Sequence, residues 1–194
     1  FKEYLRFIEN FHFAYNAITV SPTNKIEKIY SSFAIEIRKS KDKQDAKKSF
    51  EHLKNQLSSL FPSFETFKTE FVKLTYSKKD SASNVKTKYA LNKINCAFEK
   101  NELFSDSGSI EHILSESDSE ENLNIGNLII LEKELNEEAG TMKYKDKINV
   151  YQKSKYDWVK SFLAKYPNWE NNKIENRAAQ LAELYYTKIF GISV

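Results

Sequence analysis

The chain has 194 residues, a formal net charge of +3, 40% hydrophobic and 29% charged residues, the balance of a globular protein. Only 4 Gly and 3 Pro interrupt it, which favours helix, and its one cysteine, Cys96, leaves no disulfide framework and argues against a Cys-based zinc cluster. No apolar run approaches the ~20 residues of a membrane span, no signal peptide is visible, and the cytoplasm is the expected compartment.

Residues 1–17 place Leu5, Ile8, Phe11, Phe13 and Tyr15 among polar positions, a helix with a ragged end. Opening on Phe1 inside a periodic stretch, without an initiator Met, the chain reads as a fragment of a longer protein. Ser21 and Pro22 give a turn and helix-start signal, and Ile26, Ile29, Phe33, Ala34 and Ile37 follow at helical spacing. A lysine-rich stretch, 39–48, leads into a helix to about Leu60, and Phe61-Pro62-Ser63 breaks it. Phe64 to Tyr76 reads as helix, 77–83 as polar loop, and Val85 to Phe98 as helix again.

The texture changes after Asn101. Residues 105–109 form a loop, Ser109 to Leu114 a short strand, 115–124 a polar acidic loop, and Leu128 to Leu131 the most strand-like run of the chain. Glu132 to Ala139 is helix-forming; helical patterns continue over Tyr144–Tyr166 and, after Pro167, over Trp169–Phe190. The fold class is therefore mainly α with one small embedded ββα unit. The domain division is 1–104, a helical region, and 105–194, the unit that carries chemistry. Charge divides similarly: residues 1–100 carry +8 and residues 101–194 carry −5. A basic half is compatible with nucleic-acid contact and equally with ordinary solvated helix faces.

Four polar residues stand in unusual places in the ββα unit. Glu111 and His112 interrupt the first strand, Asn127 opens the second after Gly126, and Asn136 lies in the helix nine positions later. His, Asn, Asn in that order on strand, strand and helix is the outline of an HNH, or ββα-metal, nuclease site. The chemistry requires these types. A neutral imidazole takes a proton from water near neutral pH. A carboxylate and an amide oxygen are hard ligands for Mg²⁺ or Mn²⁺, and such an ion stabilises the charge that develops on phosphate. Taken alone, the Glu-His pair reads equally as a hydrogen-bonded pair on a sheet surface. Adjacent strand residues point to opposite faces, so one metal site shared by Glu111 and His112 requires a bulge or a strand end, and such a distortion is expected at this pair.

The strings SIEHILSES, NIGNLIILEKELNE, KDKINVYQKS and WENNKIENRAAQL together resemble the C-terminal HNH nuclease domain of GmrSD-like type IV restriction proteins, which cut modified phage DNA. The resemblance is densest over 109–181 and softer in LRFIENFHFAYNAI and TKYALNKI. It implies a metal-dependent DNA endonuclease of an anti-phage restriction system. His112 would be the general base, Asn127 the brace of the loop that aims it, and Glu111 and Asn136 the ligands of Mg²⁺ or Mn²⁺. It further implies modified phage DNA as partner and an N-terminal nucleotide-dependent domain, for which 1–104 would be the adaptor. Family members usually carry Pro and Gln where this chain has Ser115 and Glu116, and the last position of the triad is Asn136, not His. Lys145, Lys147 and Arg177 are the candidate phosphate contacts, although a buried Arg177 paired with a carboxylate is as good a reading. Tyr151 and Ser154 share a helix face, Trp158 and Trp169 read as core anchors, and His12 and His52 as structural. The acidic run 116–121 reads as a loop held away from DNA, or as a source of one more metal ligand. The alternative function is a degenerate HNH domain that grips DNA or a protein without cutting.

Overall fold

The computed structural model describes residues 1–79, 84–100 and 108–194. The end of the expected 77–83 loop, the change of texture at 101, the division at 104/105 and most of the 105–109 loop lie outside the described residues. Those described form two compact units, Phe1–Phe67 and Lys68–Val194. No helix among them is long and apolar enough to cross a membrane.

The first unit is helical. Its elements are α1 (Lys2–His12), a π-helical turn (Phe13–Ile18), α2 (Asn24–Lys39) and α3 (Lys43–Ser58). The ragged end expected of the helix over 1–17 is the π turn. Asp42 starts α3 by accepting from the backbone N–H of Gln44 and Asp45 at 2.8 and 2.9 Å, the usual N-cap solution for orphan donors. Helical spacing brings Phe11, Tyr15, Ile26, Leu53 and Leu57 into one buried cluster.

A further helix, α4 (Phe64–Phe71), ends earlier than the apolar pattern to Tyr76 implies. The next residues are drawn into extended pairing instead. Thr75 bridges Asn124 antiparallel, Tyr76 N–H donates to Leu123 O at 2.9 Å, and Ile125 N–H to Leu74 O at 2.8 Å.

The second unit continues with α5 (Asn84–Phe98), β1 (Gly108–His112), β2 (Leu128–Glu132), α6 (Lys133–Ala139), α7 (Tyr144–Tyr151), α8 (Asp157–Lys165) and α9 (Ile174–Leu184), closed by a π turn (Tyr185–Ile189). The compact unit thus begins well before residue 105, because α5 packs on β2 and on the closing π turn. The helical pattern from 144 to 166 divides in two. Glu132 accepts from Ser154 Oγ and from Lys155 N–H, both at 2.8 Å, which stabilises a non-helical link no periodicity shows.

β1 and β2 form a two-stranded antiparallel sheet in continuous register from Gly108↔Glu132 to His112↔Leu128. β1 has no bulge at Glu111-His112, but His112 is its last residue, the strand end that is the other expected arrangement. Gly126 explains how α9 meets this sheet: a Cβ there would lie 2.0 Å from Ile174 O, so only glycine permits the helix start so close. Gly126→Ala is expected to lower stability by at least about 2 kcal/mol, read as a lower denaturation midpoint; an unchanged midpoint would contradict the close approach.

Candidate functional site

The sheet's alternation sorts the site residues. Ser109 and Glu111 share one face, and Ile110 and His112 the other.

On the first face, α7 supplies Lys147 and Tyr151, four residues apart and so on one side of the helix. Lys147 Nζ lies 2.6 Å from Glu111 Oε1, and Tyr151 OH donates to the same oxygen at 2.8 Å. Glu111 is 3% exposed and Lys147 0%. Burial pushes the Glu111 carboxyl above the ordinary carboxylate range, while Lys147 and Tyr151 hold it back. Burial first, and then Glu111, raise the Tyr151 phenol well above its ordinary value, so it stays a donor. The same Lys147 Nζ donates to His112 O at 2.6 Å. Removing one partner of such a buried pair costs roughly 3–5 kcal/mol. Asn136 approaches β1 from α6 and spends its amide nitrogen on Ser109 Oγ at 2.8 Å and Ile110 O at 2.9 Å.

These contacts test the metal reading. The Glu111 carboxylate is already neutralised by a resident ammonium and lies on the face opposite the His112 side chain. Among the described residues no group of three His, Cys, Asp or Glu is placed to hold an ion. Glu111 and Asn136 as arranged do not fit a metal site shared with His112.

On the second face, His112 is 5% exposed. Its Nε2 lies 3.0 Å from Tyr76 O and 3.6 Å from Glu116 Oε2. A carbonyl only accepts, so Nε2 carries the proton in the neutral ring and Nδ1 keeps the lone pair. Glu116 is itself steadied by the Lys78 N–H at 3.3 Å. This acidic residue thus turns toward the imidazole and not away from the site.

Between the two strands the loop is held by amides. Asn127 Oδ1 accepts from Leu114 N–H and Trp169 Nε1–H, each at 3.0 Å, and its Nδ2 donates to Leu114 O and Asn122 O, each at 2.8 Å. Asn127 is buried and braces the turn that follows His112. Ser115 makes a hydroxyl contact to Ser117 at 2.9 Å and its carbonyl accepts from Asn122 Nδ2 at 2.8 Å, which shapes the loop.

The three expected phosphate contacts divide. Lys145 is exposed. Lys147 is buried as described. Arg177 is 3% exposed, donating from Nη1 to Gly126 O at 2.6 Å and Leu128 O at 2.9 Å. Its guanidinium sits 4.9 Å from the Phe162 ring centroid, 5.7 Å from Trp169 and 5.8 Å from Trp158. Carbonyls and rings, not a carboxylate, are the partners these contacts give it. Burial lowers its pKa to about 10, leaving it charged at neutral pH. Two cations chosen for phosphate are thus interior struts.

Sequence reasoning missed Tyr76, Lys78 and the Asn127 contact of Trp169. Their one signal was Thr75-Tyr76, a β-favouring pair at the end of a nominal helix.

For His112, burial is the largest influence and holds the imidazole below its ordinary 6.5; the Tyr76 carbonyl and Glu116 oppose it, while Lys78 and Lys147 add to it. A lower folded pKa means the unfolded chain binds the proton more readily. The stabilising contribution is therefore full above about 6.5 and lost as pH falls through the folded value. Between about pH 7 and about pH 5, the wild-type chain should lose more denaturation midpoint than His112→Gln; equal losses would contradict a buried neutral imidazole.

Comparison with known proteins bears on what this arrangement does. The family model for the C-terminal domain of GmrSD restriction endonucleases matches residues 61–184. No curated protein matches the chain.

Proposed function

From the premise that the chain belongs to the family of GmrSD restriction endonuclease C-terminal domains, we propose that it is an HNH-type DNA endonuclease module of an anti-phage restriction system, with His112 as general base. The family makes it a restriction endonuclease module. The observation that carries the finer reading is the held imidazole: an Nε2–H fixed on Tyr76 O leaves Nδ1 as the basic atom.

In this reading Nδ1 takes the proton of the water whose oxygen bonds to phosphorus; the P–O bond opposite it breaks, and the leaving alkoxide takes a proton from solvent water. The imidazolium that forms is stabilised at Nε2 by Tyr76 O and by the Glu116 carboxylate. Asn127 acts at one remove, by fixing the backbone that follows His112. Exposed Lys145 and Lys78 are the chain's own candidates for phosphate contact, and Lys147 and Arg177 are not. Restriction endonucleases usually depend on a divalent metal. Mg²⁺ or Mn²⁺ remains the expected cofactor, but no step is assigned to Glu111 or Asn136 as ligands. The helical stretch in front of the ββα unit would couple it to a nucleotide-dependent domain that selects modified DNA, in the cytoplasm.

A second reading, a domain that grips DNA without cutting, is favoured by one observation: Lys147 occupies the carboxylate a metal would need. Plasmid nicking with Mg²⁺, Mn²⁺ or EDTA separates the two. Metal-dependent cleavage that falls at least about 10²-fold in His112→Ala, and partly in Asn127→Ala, is the expected result. DNA retention with no nicking under any metal would sink the nuclease reading in favour of the binding one.

DNA binding at graded salt provides a second check. Lys145→Ala should flatten the log–log salt slope by about 1. Arg177→Lys should leave the slope unchanged and lower the denaturation midpoint. A flattened slope in Arg177→Lys would place that residue on the DNA after all.

A further inference from the structure

One ammonium ties two consecutive residues together. Lys147 Nζ is 2.6 Å from the Glu111 carboxylate and 2.6 Å from the peptide oxygen of His112. Tyr151 OH completes the Glu111 contact at 2.8 Å, and all four residues are buried. The register through β1 keeps the Glu111 side chain on the opposite face from the imidazole.

We propose that Glu111 is the fixed counter-ion of Lys147 and not a ligand for a divalent ion, and that the pair is a positioning device that clamps the His112 peptide and so aims the imidazole. The proposal rests on the reading of His112 as the general base. A divalent ion competes with the ammonium for the same carboxylate oxygen. It could take Glu111 only by leaving Lys147 charged and unpaired in a closed interior, which is strongly disfavoured. The backbone explains why this pair reaches the base. β1 belongs to a two-stranded sheet, so the His112 peptide has a sheet partner on one side only, and the Lys147 bond to His112 O supplies the restraint on the other. Ring direction follows peptide direction, since the imidazole is joined to that backbone by two rotatable bonds and held at its far end by Tyr76 O.

The test uses the 194-residue chain with Glu111→Gln, Lys147→Met and the double variant. Thermal melts come first. Each single change should lower Tm, and the double variant should melt above Lys147→Met alone, because it removes the stranded carboxylate; strictly additive losses would overturn the counter-ion role. Mn²⁺ binding by electron paramagnetic resonance comes second. Wild type and the double variant should take up Mn²⁺ equally, within threefold; a tenfold or greater loss in a folded variant would make Glu111 a ligand and overturn the proposal. Imidazole ¹H–¹⁵N spectra come third. The wild type should show His112 as a single Nε2–H tautomer and the folded double variant a mixture; an unchanged single tautomer would overturn the positioning role. Absence of cleavage by the wild-type chain counts against His112 as base and moves none of these three readouts, so the two failures are distinguishable.

Discussion

A lysine with no exposed surface sets the terms for the rest of the second unit. An ammonium taken out of water must be surrounded by oxygens or it costs several kcal/mol. Lys147 meets that demand with a side chain and a peptide carbonyl from the same end of β1. Satisfying one charge therefore fixes where α7 docks, which way Glu111 points and how β1 ends. Tyr151, one turn along, shares the load by donating to the same carboxylate oxygen. Tyr144, one turn in the other direction, packs edge-on to Phe162 of α8. The buried face of α7 thus carries its one charge in the middle, between Tyr144 and Tyr151, and that charge is aimed at the residue before the proposed base.

The loop beyond His112 depends on the same economy of buried polar groups. A loop that runs through an interior carries peptide groups that must find partners. Asn127 supplies both an acceptor and a donor to Leu114, so its amide imitates a strand neighbour where no strand exists. Asn122 and Trp169 tie that amide to the acidic loop and to the segment before α9. Arg177 then caps the carbonyls of Gly126 and Leu128 from the other side. A guanidinium suits this task because one terminal nitrogen, Nη1, reaches both carbonyls while the guanidinium face lies against aromatic rings.

How much of this was legible depends on the range of the forces involved. Local periodicity was enough for α2, α3, α5 and the strand–strand–helix order, because each buries a stripe or a run visible within one window of sequence. It overran at Leu74–Tyr76, whose fate was decided by pairing with residues some fifty positions away. The site residues were found because polar side chains between apolar strand positions need a reason. Their partners were not found, since nothing in the spacing of Glu111 and Lys147, 36 apart, distinguishes a buried counter-ion from a phosphate contact. Charge points Lys147 and Arg177 toward phosphate; the apolar stripe of Tyr144, Val150 and Tyr151, and of Ile174, Ala178 and Leu181, all buried, is the signal that they face inward.

The inward turn of those two cations changes the electrostatic picture of the site. A base that works near neutral pH must be neutral at rest and must tolerate the charge it gains. Burial with Lys78 and Lys147 in the vicinity keeps the His112 imidazole unprotonated. Tyr76 O and Glu116 wait at Nε2 to receive the positive charge when Nδ1 accepts a proton. The two sets of influences act on different protonation states, so they cooperate although they oppose each other in the resting pKa. Glu116 strengthens the second set without a new cation in the first. The sheet separates these roles in space: one face holds the interior charge that fixes the backbone, and the other holds the ring that would do the chemistry.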